Sequence, residues 1–496
     1  MQKRSSEIRT SGRALVRRDN SGSKVRLLTI AGVAHLSILY AGMILGWTSP
    51  TLPRLEKPTD DNPLDSPLTP TESAWIGSIV ALGAAVGPFP GGSMADRFGR
   101  KGAILLSTLP TFVGWLLIGL ATSVEYIYAA RFLFGLSIGS AFTVVPMYTG
   151  EIAEDSVRGA VGSFLQLFIV TGFLLAYAIG PYVSYIGLVS ISLVPGVLFF
   201  IIFCFMPETP YYYLGKSKRD KALNSLCFLR GKSKEDCQSE LDKIEVAVTE
   251  ARAEATASAA TNKLSELFRS PVHRKCLALS FGLVTAQQFA GINVVLFYTE
   301  SLFAQTGISM LPEHAAILLG SLQVLSSFTA PLFVDKLGRK VMLLISGVGL
   351  IVSLSSLGIY FKLDSIKYDQ IDSLGWLPIT SLLLYIVVFC MGFGPLPWAV
   401  MGELFSPQIK ATASSMTASF CWFLTFLVTK YFETLCQAIG THVVFWLFAA
   451  CCLLACIFVH FCLPETKGLS LRQIQLQLNG GSSEESSVNV YAEEQA

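Results

Sequence analysis

Charge is what this sequence has least of. Only 15% of its 496 residues are Asp, Glu, Lys or Arg, against roughly 25% in a soluble domain. That scarcity excludes an ordinary water-soluble globule. With a net charge of +2, nothing in the overall balance points to nucleic acid. No Asn-x-Ser/Thr sequon occurs, so N-glycosylation marks no side of the chain. No glycine-rich phosphate loop is present, so ATP is not expected as a driver. The eleven cysteines form no CxxC pair and fall mostly in apolar runs, Cys204, Cys390, Cys421 and Cys452 among them. They are expected as small core residues rather than a disulfide framework or a zinc site. No nucleophile constellation or metal-spaced cluster points to an enzyme, a cofactor or a metal. The N-terminus is polar and basic, unlike a signal peptide.

What is abundant is apolar length. Hydrophobic residues make up 52% of the chain and the mean hydropathy is +0.54. Apolar runs recur at roughly 28–50, 73–93, 102–122, 126–147, 160–181 and 184–206, then at roughly 275–300, 312–334, 341–361, 376–401, 412–432 and 440–463. About twelve helices of ~20 residues follow, enough for twelve crossings of a bilayer at ~1.5 Å per residue. The expected organisation is a tail over 1–27, a six-helix bundle over 28–206, a linker over 207–274, a second bundle over 275–463 and a tail over 464–496. Between Ser239 and Leu267 the linker is rich in Glu, Lys and Ala, which favours short docked helices. Lys and Arg concentrate in the first tail, the linker and alternate loops. By the positive-inside rule this basic side is cytosolic and holds both termini.

One phrase occurs twice, half a chain apart. Asp96-Arg97-Phe98-Gly99-Arg100-Lys101 follows the second run, and Asp335-Lys336-Leu337-Gly338-Arg339-Lys340 follows the eighth. Repetition at that distance implies two similar halves, with a substrate site at the midplane between them. The turns could be topology signals alone. Two copies in matching places favour a latch that holds one conformer and releases another. Further ionisable residues sit near the ends of spans. Arg131 opens the fourth, Glu151 and Arg158 follow it, and Glu403 and Lys410 repeat that arrangement after the tenth. Because lone membrane charges are costly, Arg–Glu networks between the halves are expected on the cytosolic side.

Intramembrane amides are the other scarce residue type. Gln166 lies in the fifth run, while Gln287, Gln288 and Asn293 cluster in the seventh. Such amides can tie helices together. Three within two helical turns favour a polar site for a hydroxyl-rich ligand. Gln287 and Asn293 are expected to share a face more nearly than Gln288 and Asn293, with Gly291 loosening the helix between them.

Taken in order, these motifs resemble the sugar porter family of the major facilitator superfamily, over about residues 28–475. The resemblance rests on the two Asp-x-x-Gly-Arg turns, Arg131-Phe-Leu-Phe-Gly135, and Glu151 with Arg158-Gly159. Pro207-Glu208-Thr209-Pro210 and Pro464-Glu465-Thr466 close the two halves in the same style. The segment Gly392-Phe-Gly394-Pro395-Leu396-Pro397-Trp398 is similar in particular to the facilitated trehalose transporters of arthropods. The resemblance implies an all-α polytopic membrane protein of the major facilitator fold, with twelve transmembrane helices in two six-helix halves. It implies a small-molecule sugar as substrate, the lipid bilayer as surroundings, and neither nucleic acid nor an obligate protein partner. By resemblance, Gln166, Gln287, Gln288, Asn293 and Trp398 contact the sugar. Gly392, Gly394, Pro395 and Pro397 form a flexible stretch of span ten, and Phe297 and Tyr298 are outer-gate aromatics. Alone, that last pair would be interfacial belt residues.

The departures from glucose carriers are Cys390 where Glu is common, Val324 beside Gln323 where Asn is common, and Cys421 and Thr425 where Asn is common. Smaller groups there would leave room for a disaccharide, so Cys390→Glu would reduce trehalose flux. Span one contains His35 but no Asp or Glu, which favours facilitated transport at the plasma membrane over a proton-coupled symporter. The short tail after Gln475 disfavours a non-transporting sensor.

Overall fold

The computed structural model of this chain describes residues 2–59, 61–154, 157–258, 267–304, 310–405, 407–467 and Gln473. Among these, eleven helical stretches are long and apolar enough to cross a membrane, and a twelfth is a pair bent by 41°. The first half holds Lys24–Leu55, the bent pair Pro70–Val86 and Pro88–Phe98, Arg100–Gly119, Val124–Ile152, Val161–Tyr182 and Tyr185–Cys204. The second half holds Pro271–Phe297, Pro312–Val334, Arg339–Ser365, Trp376–Leu404, Thr412–Ile439 and Thr441–Cys462. They are called spans one to twelve below. Each expected run has its helix, with ends shifted by a few residues.

Local chemistry sets the ends. Thr69 and Glu72 form a reciprocal capping box at the start of span two, satisfying two otherwise unpaired amide donors. The repeated turns adopt the same backbone twice: Gly99 has φ 89° and ψ 166°, and Gly338 has φ 89° and ψ 167°. Only glycine takes that conformation without strain, which fixes it at both copies. Between the halves, Pro210–Gly215, Arg219–Arg230 and Lys234–Ser258 are helices. They pack on a small core of their own, including Leu214, Leu226 and Leu241. The buried Arg230 ties them to the first half through the Ile152 carbonyl at 3.0 Å and Glu154 at 3.4 Å.

The halves meet mostly at the end opposite the repeated turns, here called the far end. There Tyr177 Oη donates to the Leu296 carbonyl at 2.6 Å, and the Glu300 amide donates to Ser49 at 3.2 Å. Trp75 lies against Phe426 with ring centres 6.0 Å apart. Deeper in, Phe142 meets Trp422 edge-on at 5.8 Å. Toward the basic end, a side chain at Gly150, Gly159 or Gly162 would meet nothing within 4 Å. The described bonds and ring contacts between the halves thus lie at the far end and in the middle of the spans.

Candidate functional site

The site is built where two spans break. Span seven stops at Phe289 and restarts at Ile292, because Gly291 between them has φ 83°. On a continuous helix Gln288 and Asn293 would point about 140° apart. The break brings them together: Asn293 Nδ2 donates to Gln288 Oε1 at 2.6 Å. The expected closer pair, Gln287 with Asn293, is thus replaced by Gln288 with Asn293, since the helical angle does not carry through a left-handed residue.

Span eleven completes this cluster. Thr425 Oγ1 donates to Gln288 Oε1 at 2.9 Å, and Gln288 Nε2 lies 3.0 Å from Cys421 Sγ. Cys421 and Thr425 are the positions where glucose carriers commonly have Asn. In the structure they are the hydrogen-bonding partners of the amides.

Span ten stops at Met391 and restarts at Leu396, at the stretch holding Gly392, Gly394, Pro395 and Pro397. A helix end leaves carbonyls without partners. Gln287 Nε2 fills this need, donating to the Phe393 and Gly394 carbonyls at 2.8 Å each. Tyr385 of span ten returns the favour, its hydroxyl donating to the Ala290 carbonyl at the break in span seven at 2.9 Å. Ser346 accepts from the Phe393 amide at 3.2 Å and donates to the Val388 carbonyl at 2.7 Å. The two breaks are laced together by side chains from each other's span. Gln287 is therefore committed to span ten in this conformation; Gln288 is equally buried among its own partners, and Asn293 is the half-buried member of the cluster.

Two of the expected contact residues have free polar atoms. Gln166 and Trp398 are half-buried, and neither side chain makes a hydrogen bond among the described residues. Cys390 is fully buried, so it opens no space, and a glutamate there would be a buried charge rather than a cavity plug. Gln323 is also buried, its Oε1 without a partner among the described residues. Two residues escaped the sequence reading: Trp422, half-buried against Phe142, and Tyr385. A tryptophan amid apolar residues, or a tyrosine in an apolar helix, carries no signal of its own.

At the far end, Phe297 is buried completely and Tyr298 stacks on Phe432 with ring centres 6.1 Å apart. Tyr298 reaches the seam between halves, its hydroxyl lying against Gly77 of span two. Arg131 is there too, and this corrects its expected place in a cytosolic network. Span four enters at the far end, so Arg131 and Glu151 lie about 30 Å apart along one helix. The Arg131 guanidinium is fully buried, donating to the Ile44 carbonyl at 2.8 Å and the Ile76 carbonyl at 3.1 Å, with its carbon 5.6 Å from the Trp47 ring centre. Among the described residues, no carboxylate lies within ion-pair distance of it.

The basic end carries the remaining charged residues of the motifs, and among the described residues their ion pairs run within each half, not between halves as expected. Arg100 bonds Glu151 at 2.9 Å and lies 3.8 Å from Asp96. In the second half Arg339 bonds Glu403 at 3.0 Å, the matching position. Lys410 Nζ donates to the Gly402 carbonyl at 2.8 Å, and the Arg97 carbonyl accepts from Tyr212 at 3.0 Å. The side chains of Arg158 and Asp335 lie outside the described residues. Glu208 accepts from the Lys101 amide at 3.0 Å, and Glu465 accepts from the Arg339 and Lys340 amides at 3.0 Å each. Each glutamate follows the last span of its half and caps the helix after a repeated turn, three spans earlier in the chain.

The two caps differ electrostatically. Burial pushes the Glu208 carboxyl above the usual carboxylate range, and the nearby Glu151 adds to this. Burial acts the same way on Glu465, but amides of Arg339, Lys467, Lys340 and Thr466 outweigh it and hold that carboxyl below the range. A lowered carboxyl stabilises above its unfolded value and loses that stability as pH falls; a raised one does the reverse. At pH 7, Glu465→Gln is therefore expected to cost about 1–2 kcal/mol, and Glu208→Gln less. The difference narrows on acidification. Thermal unfolding of the purified variants at two pH values checks both statements.

Known proteins resemble the chain along most of its length. The profile of the family described as "Sugar (and other) transporter" matches residues 37–478. The facilitated trehalose transporter Tret1 of Apis mellifera ligustica is 36% identical over 453 residues, which is 91% of this chain and 89% of that protein. The protein of the same name from Bombyx mori is 35% identical over 455 residues, 92% of this chain and 87% of that one. Among solved structures, a partially occluded inward-open form of the xylose transporter XylE from E. coli superposes with a TM-score of 0.74 at 22% identity. It covers 90% of this chain and 100% of that one. That structure bears on the fold alone.

Proposed function

Because the chain belongs to the sugar transporter family, we propose that it carries a sugar, trehalose foremost, passively across the plasma membrane by alternating access. The basic end faces the cytosol, and both termini lie there. In this reading the contacts at the far end close the outer side in the present conformation.

The observation that carries the reading is the continuous polar cluster at the two breaks. Gln288, Asn293, Thr425 and Cys421 offer donors and acceptors near the midplane. Gln166 and Trp398, assigned to the site by the family resemblance, would add a free amide and an aromatic face, the pair of features that hydroxyls and sugar ring faces require. Trehalose is favoured because the arthropod relatives bear that substrate in their names over nearly their whole length. Passive transport is supported by the buried Arg131, held by carbonyls and a ring with no acid beside it among the described residues. His35 is packed against Phe164 and Phe168, its Nδ1 2.8 Å from the Ala31 carbonyl. Neither group offers a carboxylate that could shuttle a proton.

Networks within each half make the charged turns stiffening braces of a bundle. They act on alternating access by keeping each half rigid as it rocks.

Oocytes expressing the chain should show saturable uptake of labelled trehalose, unchanged between pH 5.5 and 7.5, with efflux under a reversed gradient. Uptake of glucose alone would replace the substrate and keep the mechanism. Uptake that rises several-fold in acid and carries current would replace uniport by proton symport.

A further inference from the structure

Lys430 is a cation in span eleven, near the far end. Its ammonium lies 4.2 Å from the ring centre of Trp75, which belongs to the other half. Trp75 also packs on Phe426, one helical turn before Lys430. Among the described residues no carboxylate lies within 4.0 Å of the Lys430 nitrogen. Glu433 follows three residues later on the same helix and therefore on the same face. It is within electrostatic reach of Lys430 and also of Glu56, across the seam. Glu56 is held by Ser73, whose hydroxyl donates to it at 2.8 Å.

We propose that Lys430 is the positioning residue of the outer latch, exchanging the Trp75 ring for Glu433 as the halves part. Closed, the ammonium rests on the ring and joins the halves by a cation–π contact. Open, it pairs with Glu433 on its own helix. The ammonium has a partner in both states, so the swap avoids leaving a half-desolvated charge alone. Glu433 and Glu56 repel when the seam is shut, which favours opening. This gives the far end its own two-state element, biased by one cation and two carboxylates. The inference rests on the alternating-access reading but not on which sugar is carried.

The pair of partners makes a prediction of opposite signs. Gln166→Cys places a thiol at the half-buried position of span five that the alternating-access reading puts in the cavity. A membrane-impermeant maleimide applied outside intact oocytes then labels it only when the outer seam is open, with the background from native cysteines subtracted using the Gln166 chain. Trp75→Leu on that background removes the closed-state partner and should raise the labelling rate about two- to fivefold. Glu433→Gln removes the open-state partner and relieves the repulsion with Glu56, and should lower the rate about twofold or more. Lys430→Arg keeps both contacts and should stay within twofold of the parent. A role in packing alone would not move Trp75→Leu and Glu433→Gln in opposite directions.

Labelling that is unchanged or slower in Trp75→Leu would overturn the latch, as would both variants shifting the same way. If Trp75→Leu fails to reach the surface, Trp75→Phe should give a smaller increase, and no increase is again fatal. No external labelling in any variant means the seam never opens, which sinks the latch and alternating access together. Sugar flux is measured separately in chains that keep Gln166. Opposite shifts in labelling without any sugar flux would keep the latch and remove the sugar.

Discussion

Gln287→Leu is expected to cut saturable sugar uptake at least tenfold while the protein still reaches the surface. The wild-type amide bonds two carbonyls of the broken tenth span, at Phe393 and Gly394. Leucine fills a similar volume but donates nothing, so both carbonyls are left buried without that donor. Each such loss costs about 1–3 kcal/mol, and 1.4 kcal/mol is a factor of ten. The cost falls on the conformation in which span ten is laced to span seven, so the balance between conformers shifts as well as the affinity. Uptake kinetics alongside surface biotinylation separate the two. An unchanged KM and maximal rate would mean that the lacing has no part in transport. Tyr385→Phe removes the bond that runs the other way and should show a weaker version of the same defect.

Arg131→Leu is expected to remove most of the protein from the cell surface. The guanidinium is fully buried and joins spans one, two and four through the Ile44 and Ile76 carbonyls and the Trp47 ring. Losing these contacts and the side chain's volume together costs about 3 kcal/mol, a large share of a typical domain's net stability. Arg131→Lys keeps the charge but has no planar fork to reach two carbonyls at once, and should be only partly tolerated. Surface biotinylation and the melting temperature of the purified protein check the pair. A leucine variant with wild-type stability would mean that the three spans are held by packing alone.

The helices were the most legible part of the chain, because apolar length is a strong signal and the bilayer admits few alternatives. The repeated turns were legible too, down to a matching backbone at Gly99 and Gly338. What could not be read was partnership. The charge repeats predicted networks but not that Arg100–Glu151 and Arg339–Glu403 would each close within one half. The amide cluster was visible as composition, but its pairing depends on the left-handed Gly291, which defeats counting by helical angle. Arg131 was misplaced by grouping it with Glu151, although the length of span four separates them by about 30 Å. Lys430 and Trp75 lie 355 positions apart in the numbering, and no local pattern joins them.

The Arg230 contact bears on the order in which the protein is made. Arg230 reaches back to the Ile152 carbonyl and Glu154, and Glu208 reaches back to the Lys101 amide. These bonds close on residues that all precede Pro271, the start of span seven, in the chain. The first bundle can thus be fastened shut while the second does not yet exist. The breaks in spans seven and ten, with their polar side chains, then enter the membrane beside a finished partner. Their exposure to lipid as unpaired segments is confined to the time needed to synthesise the second half.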